Sequence, residues 1–511
     1  MRLAERAALV ATVGIVLVGL GLRLRGYLFG GHPLWLDESS WAVYLIEHRR
    51  GDEHLRPLGF MLVTHALTAI FSPSEQTLRA LPWLGGLVTT LVSPFLARRL
   101  FDGRAARLLF VAILALHPAA IDLSKEFKPY SVSLMLHVLL LFTTLRYATS
   151  LRDRDLAYAL GVASVGHLFA QDLVFAYPGA FLVLGWEAFR LRRPHLYWVL
   201  GAALVIVLAL AAQYYFVWRN IPETESTYWG NKYNVFHLRT SAQSYLAWAW
   251  ERYRDLAELP GHRRRFWRSA VLSDSSLEQL RNLDVSCWLV AHALGLVVLV
   301  TRRKYRLLVL TLVPSVALWT FNFLQFWPLG AFRTNLFALL YFSIVAAAAF
   351  DGLPALRTRA VSLVPAAVLV VAPLLFFEQD WHARKRAFAY DGFFPDVVHD
   401  LAATIRADPA RGLDTLLLSG RICPQWEYYT GIHPQAHRYR KALDSFFVTS
   451  CAKDPELARR WRMSLRTQPR VWVVLDDKVA PAFLAEASQR AEVTRHKVGN
   501  VWVVKLEHKR S

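Results

Sequence analysis

Cysteine is scarce in this chain. Three cysteines and four methionines occur among 511 residues, and no CxxC or HExxH spacing appears. That argues against zinc ribbons and zincin-type metalloproteases. A Walker A loop and a GxSxG elbow are also missing, so P-loop phosphate chemistry and the serine-hydrolase template have no support. There is no internal repeat and no low-complexity segment. Acidic residues are few beside basic ones, 39 against 59, giving a net charge of +20. A basic balance of this size raises nucleic acid as a partner. The basic residues, however, gather at the ends of apolar runs and in a few long polar stretches. That distribution belongs to membrane proteins, and no nucleic-acid partner is expected.

Apolar residues are what the chain has in excess. They make up 55% of it, against about 45–50% in soluble domains, and mean hydropathy is +0.27. Runs such as AALVATVGIVLVGLGL, LVIVLALAAQYYFV and AVSLVPAAVLVVAPLLFF approach the roughly 20 residues that cross a bilayer. No small-residue cleavage site follows the first run, so it reads as a retained helix. The pattern predicts about eleven transmembrane helices, over 8–27, 83–100, 105–121, 130–148, 156–170, 172–190, 197–218, 286–301, 307–322, 334–350 and 360–377.

Charge orients these spans. With Arg2 and Arg6 inside, the inside loops carry Arg98, Arg99, Arg104 and Arg107, then Arg146, Arg152 and Arg154, then Arg190, Arg192 and Arg193. Arg302, Arg303, Lys304 and Arg306 follow, and then Arg357 and Arg359. Every inside loop is basic, as the positive-inside rule requires. Arg23 and Arg25, at the outer end of the first span, go against it. An odd number of spans places residues 378–511 outside, which in a bacterium means a cytoplasmic (inner) membrane protein with a periplasmic C-terminal domain.

The division expected is a membrane module over 1–377 and an extracytoplasmic domain over 378–511. Within the module, 28–82 and 219–285 form outer loops. The first holds SSWAVYLIEHRR and LGFMLVTHALTAIF, amphipathic stretches unsuited to spanning, which read as interfacial helices. In the C-terminal part, DTLLLSG, RVWVVLDD and NVWVVKLEH read as strands. DPELARRWRMSLRTQ and APAFLAEASQRAEV read as helices, so a small α/β domain is expected.

Three places stand out for chemistry. The pair Asp37–Glu38 in HPLWLDESSWA directly follows the first span. Asp37 also suits a helix N-cap, and a capped Asp can still face a cavity. The loop HPAAIDLSKEFKPYS crowds Asp122, Lys125, Glu126, Lys128 and Tyr130 at the same outer face. It is either a solvated loop or, because charge at membrane depth is costly, a site. Arg333 opens the tenth span among Phe326, Trp327 and Phe332, and fits either an interfacial anchor or a phosphate ligand. His65, His117, His137 and His167 are isolated in apolar settings and read as packing residues. Asp172 has no partner apparent from sequence.

The ordered set LWLDES, RPLGF, SEQTLRALPWLGGL and HPAAIDLSKEFKPYSVSLML resembles the GT-C glycosyltransferases. The likeness is to the bacterial branch similar to protein O-mannosyltransferases and the lipid A aminoarabinose transferase. It covers about residues 1–190 well and the later helices only in layout. RPLGF has one proline where many relatives have two, so that interfacial helix is free to start differently. The resemblance implies transfer of a sugar from a polyprenyl-phosphate donor to an acceptor hydroxyl on the outer membrane face, with inversion. It makes Asp37 the general base and Glu38 a helper. It leaves lipid, polysaccharide or protein as the acceptor, and divalent-metal dependence open. Lys125, Lys128 and Arg333 are the basic residues of the short outside loops. They are expected to converge near Asp37 on the donor phosphate, with Glu126 as a second acidic group and Arg56 and Tyr130 as further candidates. The outside placement also predicts a Cys423–Cys451 disulfide with Cys287 unpaired. The competing classes are a transporter or flippase, or a glycan polymerase or ligase.

Overall fold

The computed structural model describes residues 2–28, 36–47, 57–216, 274–324, 333–352, 414–419, 422–437, 447–452, 454–476, 479–498 and 501–509, with a few isolated positions between them. The chain divides into two compact units. One holds Met1–Gly30, Asp52–Val63 and Arg79–Asp380, and the other Gly31–Gly51, Thr64–Leu78 and Trp381–Ser511. Helices run in the order α1 (Arg2–Leu28), α2 (Leu36–Glu47), α3 (Leu58–Phe71), α4 (Glu75–Leu100), α5 (Arg104–Leu116) and α6 (Pro118–Asp122). They continue with α7 (Tyr130–Ser150), α8 (Asp153–Gly166), α9 (Tyr177–Leu191), α10 (Arg193–Phe216), α11 (Asp274–Thr301), α12 (Tyr305–Phe323) and α13 (Ala338–Gly352).

Ten of the eleven expected spans coincide with helices; the eleventh, 360–377, lies outside the described residues. Among the described residues, α1 (over Glu5–Arg25), α4, α7, α10 and α12 are long and apolar enough to cross a membrane unaided. The expected span 105–121 is broken. Arg104–Leu116 and Ala119–Lys125 meet at 46°, because Pro118 has no N–H to continue the ladder. The sixth span begins later than expected, since Gln171–Phe175 forms a 3-10 turn ahead of α9. Both expected interfacial helices are present as α2 and α3.

The first unit is a helix bundle whose apolar side chains point both inward and outward. Leu9, Val10 and Leu17 on α1, and Leu200, Leu204 and Leu208 on α10, are exposed, a surface suited to lipid. Inside, α11 and α13 approach so closely that a Cβ on Gly295 would lie 1.8 Å from the Val345 carbonyl oxygen. Only glycine allows that contact, and the run Ala346–Ala349 on α13 keeps the facing surface small.

Ion pairs tie together the ends that charge bias assigns to the inside. Lys304 Nζ reaches Asp102 Oδ2 at 3.1 Å and Asp351 Oδ2 at 2.9 Å, joining three chain ends. Asp351 Oδ1 also accepts the Gly103 N–H. Arg306 pairs with the buried Glu187 at 2.6 Å, Arg146 with the buried Asp155 at 2.7 Å, and Arg104 with Glu5 at 3.2 Å. Each of these groups belongs to an end that the charge bias assigns to the same side.

In the second unit, five strands form a mixed sheet: β1 (Asp414–Ser419), β2 (Phe447–Ala452), β3 (Arg470–Asp476), β4 (Ala491–Val498) and β5 (Val501–His508). Their spatial order is β2-β1-β3-β5-β4. β1 runs parallel to β2 and β3, while β5 is antiparallel to β3 and β4. The helices Cys423–Glu427, Asp454–Thr467 and Ala480–Arg490 are α14, α15 and α16. Trp461 on α15 and Phe483 on α16 pack edge to face, 6.0 Å between centroids, in a core with Val471, Val473, Leu475 and Val504. Two strands, β2 and β4, were not expected. The sequence extends the helix through AEV, but α16 stops at Arg490 and Ala491 opens β4. Cys423 is disulfide-bonded and Cys287 takes no part in a disulfide. Cys451 sits on β2, beside Leu418 of β1, and its side chain lies outside the described residues.

Candidate functional site

The acidic pair falls in the first turn of α2. The helix begins at Leu36, so Asp37 is inside the turn and is not the N-cap. Its charge still lies where the helix dipole favours it. Glu38 and Ser39 are fully buried, whereas Asp37 is half-buried. Of the two carboxylates, Asp37 is the one a reactant can approach.

The charged loop between α5 and α7 is not a solvated loop. Asp122, Glu126 and Lys128 are buried at 4%, 7% and 4% exposure, with Lys125 and Tyr130 half-buried. Local packing explains this. The chain continues past α6 as a 3-10 turn, Leu123–Lys125, and Phe127 is then driven into the bundle, stacking on Phe60 at 5.7 Å between centroids. The aromatic anchor draws Glu126 and Lys128 in with it, and the Lys128 N–H closes a tight turn onto the Glu126 carbonyl at 2.7 Å. Burying several ionisable groups near a membrane face is costly, and such groups tend to mark function.

Arg23, which looked misplaced by charge bias, is part of the same region. Its side chain is fully buried. Its guanidinium donates to the Ala115 carbonyl at 2.6 Å, the Leu114 carbonyl at 3.3 Å and the Gly19 carbonyl at 3.0 Å. Pro118 leaves the Leu114 carbonyl without its i+4 donor, and Arg23 supplies one. Gly86 on α4 makes room, since a Cβ there would stand 3.0 Å from Arg23 Nε and 2.6 Å from Ser124 Cβ. Sequence alone showed Arg23 only as an exception to a rule.

A second buried polar group joins α7, the 171–175 turn and α13. Ser133 donates to the Asp172 carboxylate. His137 Nδ1 lies 2.7 Å from the Tyr341 hydroxyl, and its ring stacks on Phe337. Asp172, without an apparent partner in the sequence, thus has one one turn away from His137. Arg333 opens a 3-10 turn, Arg333–Asn335, and its side chain lies outside the described residues, as does all of Arg56. Among the described residues no group of three or more His, Cys, Asp or Glu side chains could hold a metal ion.

Residues 55–213 match the family model for dolichyl-phosphate-mannose-protein mannosyltransferases. The matched stretch includes Lys125, Glu126, Lys128 and Tyr130 and begins after Asp37. In structure, the chain is similar to ArnT from Cupriavidus metallidurans bound to undecaprenyl phosphate. The TM-score is 0.53 at 15% identity, covering 97% of each chain. The apo form of the same protein gives 0.54 at 15% identity, over 98% of each. The fold is like that of ArnT. No curated protein matches the chain. The GT-C resemblance drawn from LWLDES through KPYS is borne out. The family match covers residues 55–213, the likeness of fold extends over nearly the whole chain, and the apolar helices are those of a multi-pass membrane protein.

Proposed function

We propose that the protein transfers a sugar from a polyprenyl-phosphate donor to an acceptor hydroxyl at the outer face of the cytoplasmic membrane, inverting the anomeric carbon. The observation that carries this reading is the buried charged loop Asp122–Lys128, lying inside the stretch that matches a lipid-phosphate-sugar transferase family. Asp37 is the general base. It takes the proton from the acceptor hydroxyl as that oxygen attacks the anomeric carbon, the glycosidic bond to phosphate breaks, and the polyprenyl phosphate leaves as an anion. A phosphate leaving group needs positive charge more than a proton. Lys125, Lys128 and Arg333 supply it in this reading, with Tyr130 and Arg56 as further donors. Glu38 and Glu126 serve as orienting acidic groups.

Lys128→Met keeps the stem that packs in the loop and removes the ammonium. A buried cation facing a partly desolvated phosphate is worth more than a surface pair. The donor KM should therefore rise about tenfold or more, equivalent to at least ~1.4 kcal/mol, with the acceptor KM unchanged. Arg333→Ala should act in the same direction. An unaltered donor KM in both variants would remove the clamp.

The C-terminal domain is extracytoplasmic in this reading, and Cys423 pairs with Cys451. A loop of about 28 residues closed in this way stabilises by roughly 3 kcal/mol. Mass spectrometry of a non-reduced digest should find the two cysteines in one cross-linked peptide pair. Alkylation of both without reduction would refute the pairing.

A further inference from the structure

The lead-in to the acidic turn is held by the C-terminal domain. Leu34, two residues ahead of α2 and three ahead of Asp37, is fully buried. Its N–H donates to the Tyr429 hydroxyl at 2.7 Å. Its carbonyl accepts from Gln425 Nε2 at 3.1 Å and from the Ser39 hydroxyl at 3.2 Å. Both backbone groups of this residue are therefore gripped by side chains nearly 400 residues further along the chain. The Tyr429 hydroxyl also donates to Glu75 Oε1 at 3.1 Å, and His433 Nε2 lies 3.0 Å from Glu75 Oε2. Tyr428 donates to the Pro73 carbonyl at 2.9 Å. One buried hydroxyl thus links the entry of α2, the first turn of α4 and the sheet domain.

The segment that does this is unusual. α14 passes into a π-helical turn, Tyr428–Ile432. Such widened turns cost helix geometry and recur where function holds them. Here the turn puts Tyr428 and Tyr429 side by side, 4.9 Å between ring centroids, with His433 against both rings at 5.7 and 5.5 Å. Tyr428 and Tyr429 are both fully buried. The disulfide at Cys423 anchors the start of the segment.

We propose that Cys423–His433 is a positioning brace for the acidic turn, with Tyr429 and Gln425 as positioning residues that fix the backbone from which Asp37 projects. This rests on Asp37 being the base. A helix of 12 residues is marginal by itself, and its first turn is the part that frays. The rotation of that turn sets where the Asp37 carboxylate points. A base displaced by about 1 Å can lose roughly 10²-fold in rate. The C-terminal domain is then a component of the catalytic machinery and more than an appendage of the membrane module.

The test uses the full-length protein in proteoliposomes, comparing wild type with Tyr429→Phe, Gln425→Leu and Asp37→Asn. Tyr429→Phe keeps the ring packing and removes only the hydroxyl. It should lower kcat by about 10–100-fold with the donor KM within about twofold, because binding groups are untouched. Backbone hydrogen exchange over residues 34–40 should speed up while exchange in β3 and β5 stays at the wild-type rate. Gln425→Leu should show the same split with a smaller loss, since Ser39 still serves the Leu34 carbonyl. If Tyr429→Phe fails to fold, Gln425→Leu decides. An inactive Asp37→Asn beside normal kcat in the brace variants overturns the brace alone. An active Asp37→Asn overturns the base and the brace with it.

Discussion

Asp37→Asn should abolish turnover and leave the folded protein intact. A positioned carboxylate contributes about 10²–10⁴-fold by taking the hydroxyl proton in the transition state. Asparagine has the same shape and no basicity, so the whole of that factor is lost. Asp37 lies in the first turn of α2, where removing its charge costs about 0.3–1 kcal/mol through the helix dipole. The expected signature is a fall in kcat of at least about 10²-fold with yield and Tm close to wild type. Glu38→Gln serves as the contrast. Glu38 is fully buried and orients rather than takes the proton, so its loss should lower stability and reduce turnover only in part. Turnover in Asp37→Asn at the wild-type rate would contradict the assignment.

Arg23→Met should be a strongly destabilising change in the bundle. The substitution preserves length and apolar stem but leaves the Leu114 and Ala115 carbonyls without the donor they now share. No water enters such a position easily, and an unmet buried backbone group costs about 1–3 kcal/mol. Two of them suggest a loss of about 2–6 kcal/mol, partly offset because a buried charge is removed as well. Arg23→Lys should recover only part, since an ammonium cannot present the planar fork that reaches two carbonyls on one helix end and a third on α1. Thermal unfolding of the purified protein in detergent measures this. A wild-type Tm for Arg23→Met would show that the broken end of α5 finds other donors.

What the sequence made legible follows from which constraints are local. A bilayer demands apolar length, so ten described helices could be placed from apolar runs, and five of them meet that demand unaided. β1, β3 and β5 were visible because DTLLLS, RVWVVLD and VWVVKLEH are dense in β-branched and apolar residues. β2 was missed because FVTSCA is short and carries polar Thr and Ser at its centre. β4 was missed because AEVTRHKV is a charged edge strand directly after a helix, and its Ala and Glu extend the helical pattern. The acidic turn and the charged loop were found as motifs. The burial of Asp122, Glu126 and Lys128 was not legible, because it depends on Phe127 meeting Phe60. The same holds for Arg23, whose partners on α5 lie more than 90 residues away, and for Tyr429, 395 residues from Leu34. Asp172 and His137 acquired partners only when α7, the 171–175 turn and α13 came together. Long-range polar pairing leaves no periodicity to read.

The fate of a labelled sugar on a polyprenyl-phosphate donor tests the proposed activity most directly. Wild-type and Asp37→Asn proteins are reconstituted in liposomes with a panel of such donors and an extract of cell-envelope acceptors. For a glycosyltransferase, label leaves the donor and appears on an acceptor through an inverted anomeric bond. Polyprenyl phosphate is released one for one, and Asp37→Asn does neither. Label that crosses the bilayer still attached to its polyprenyl phosphate, at equal rates in both proteins, would contradict transfer and identify a flippase.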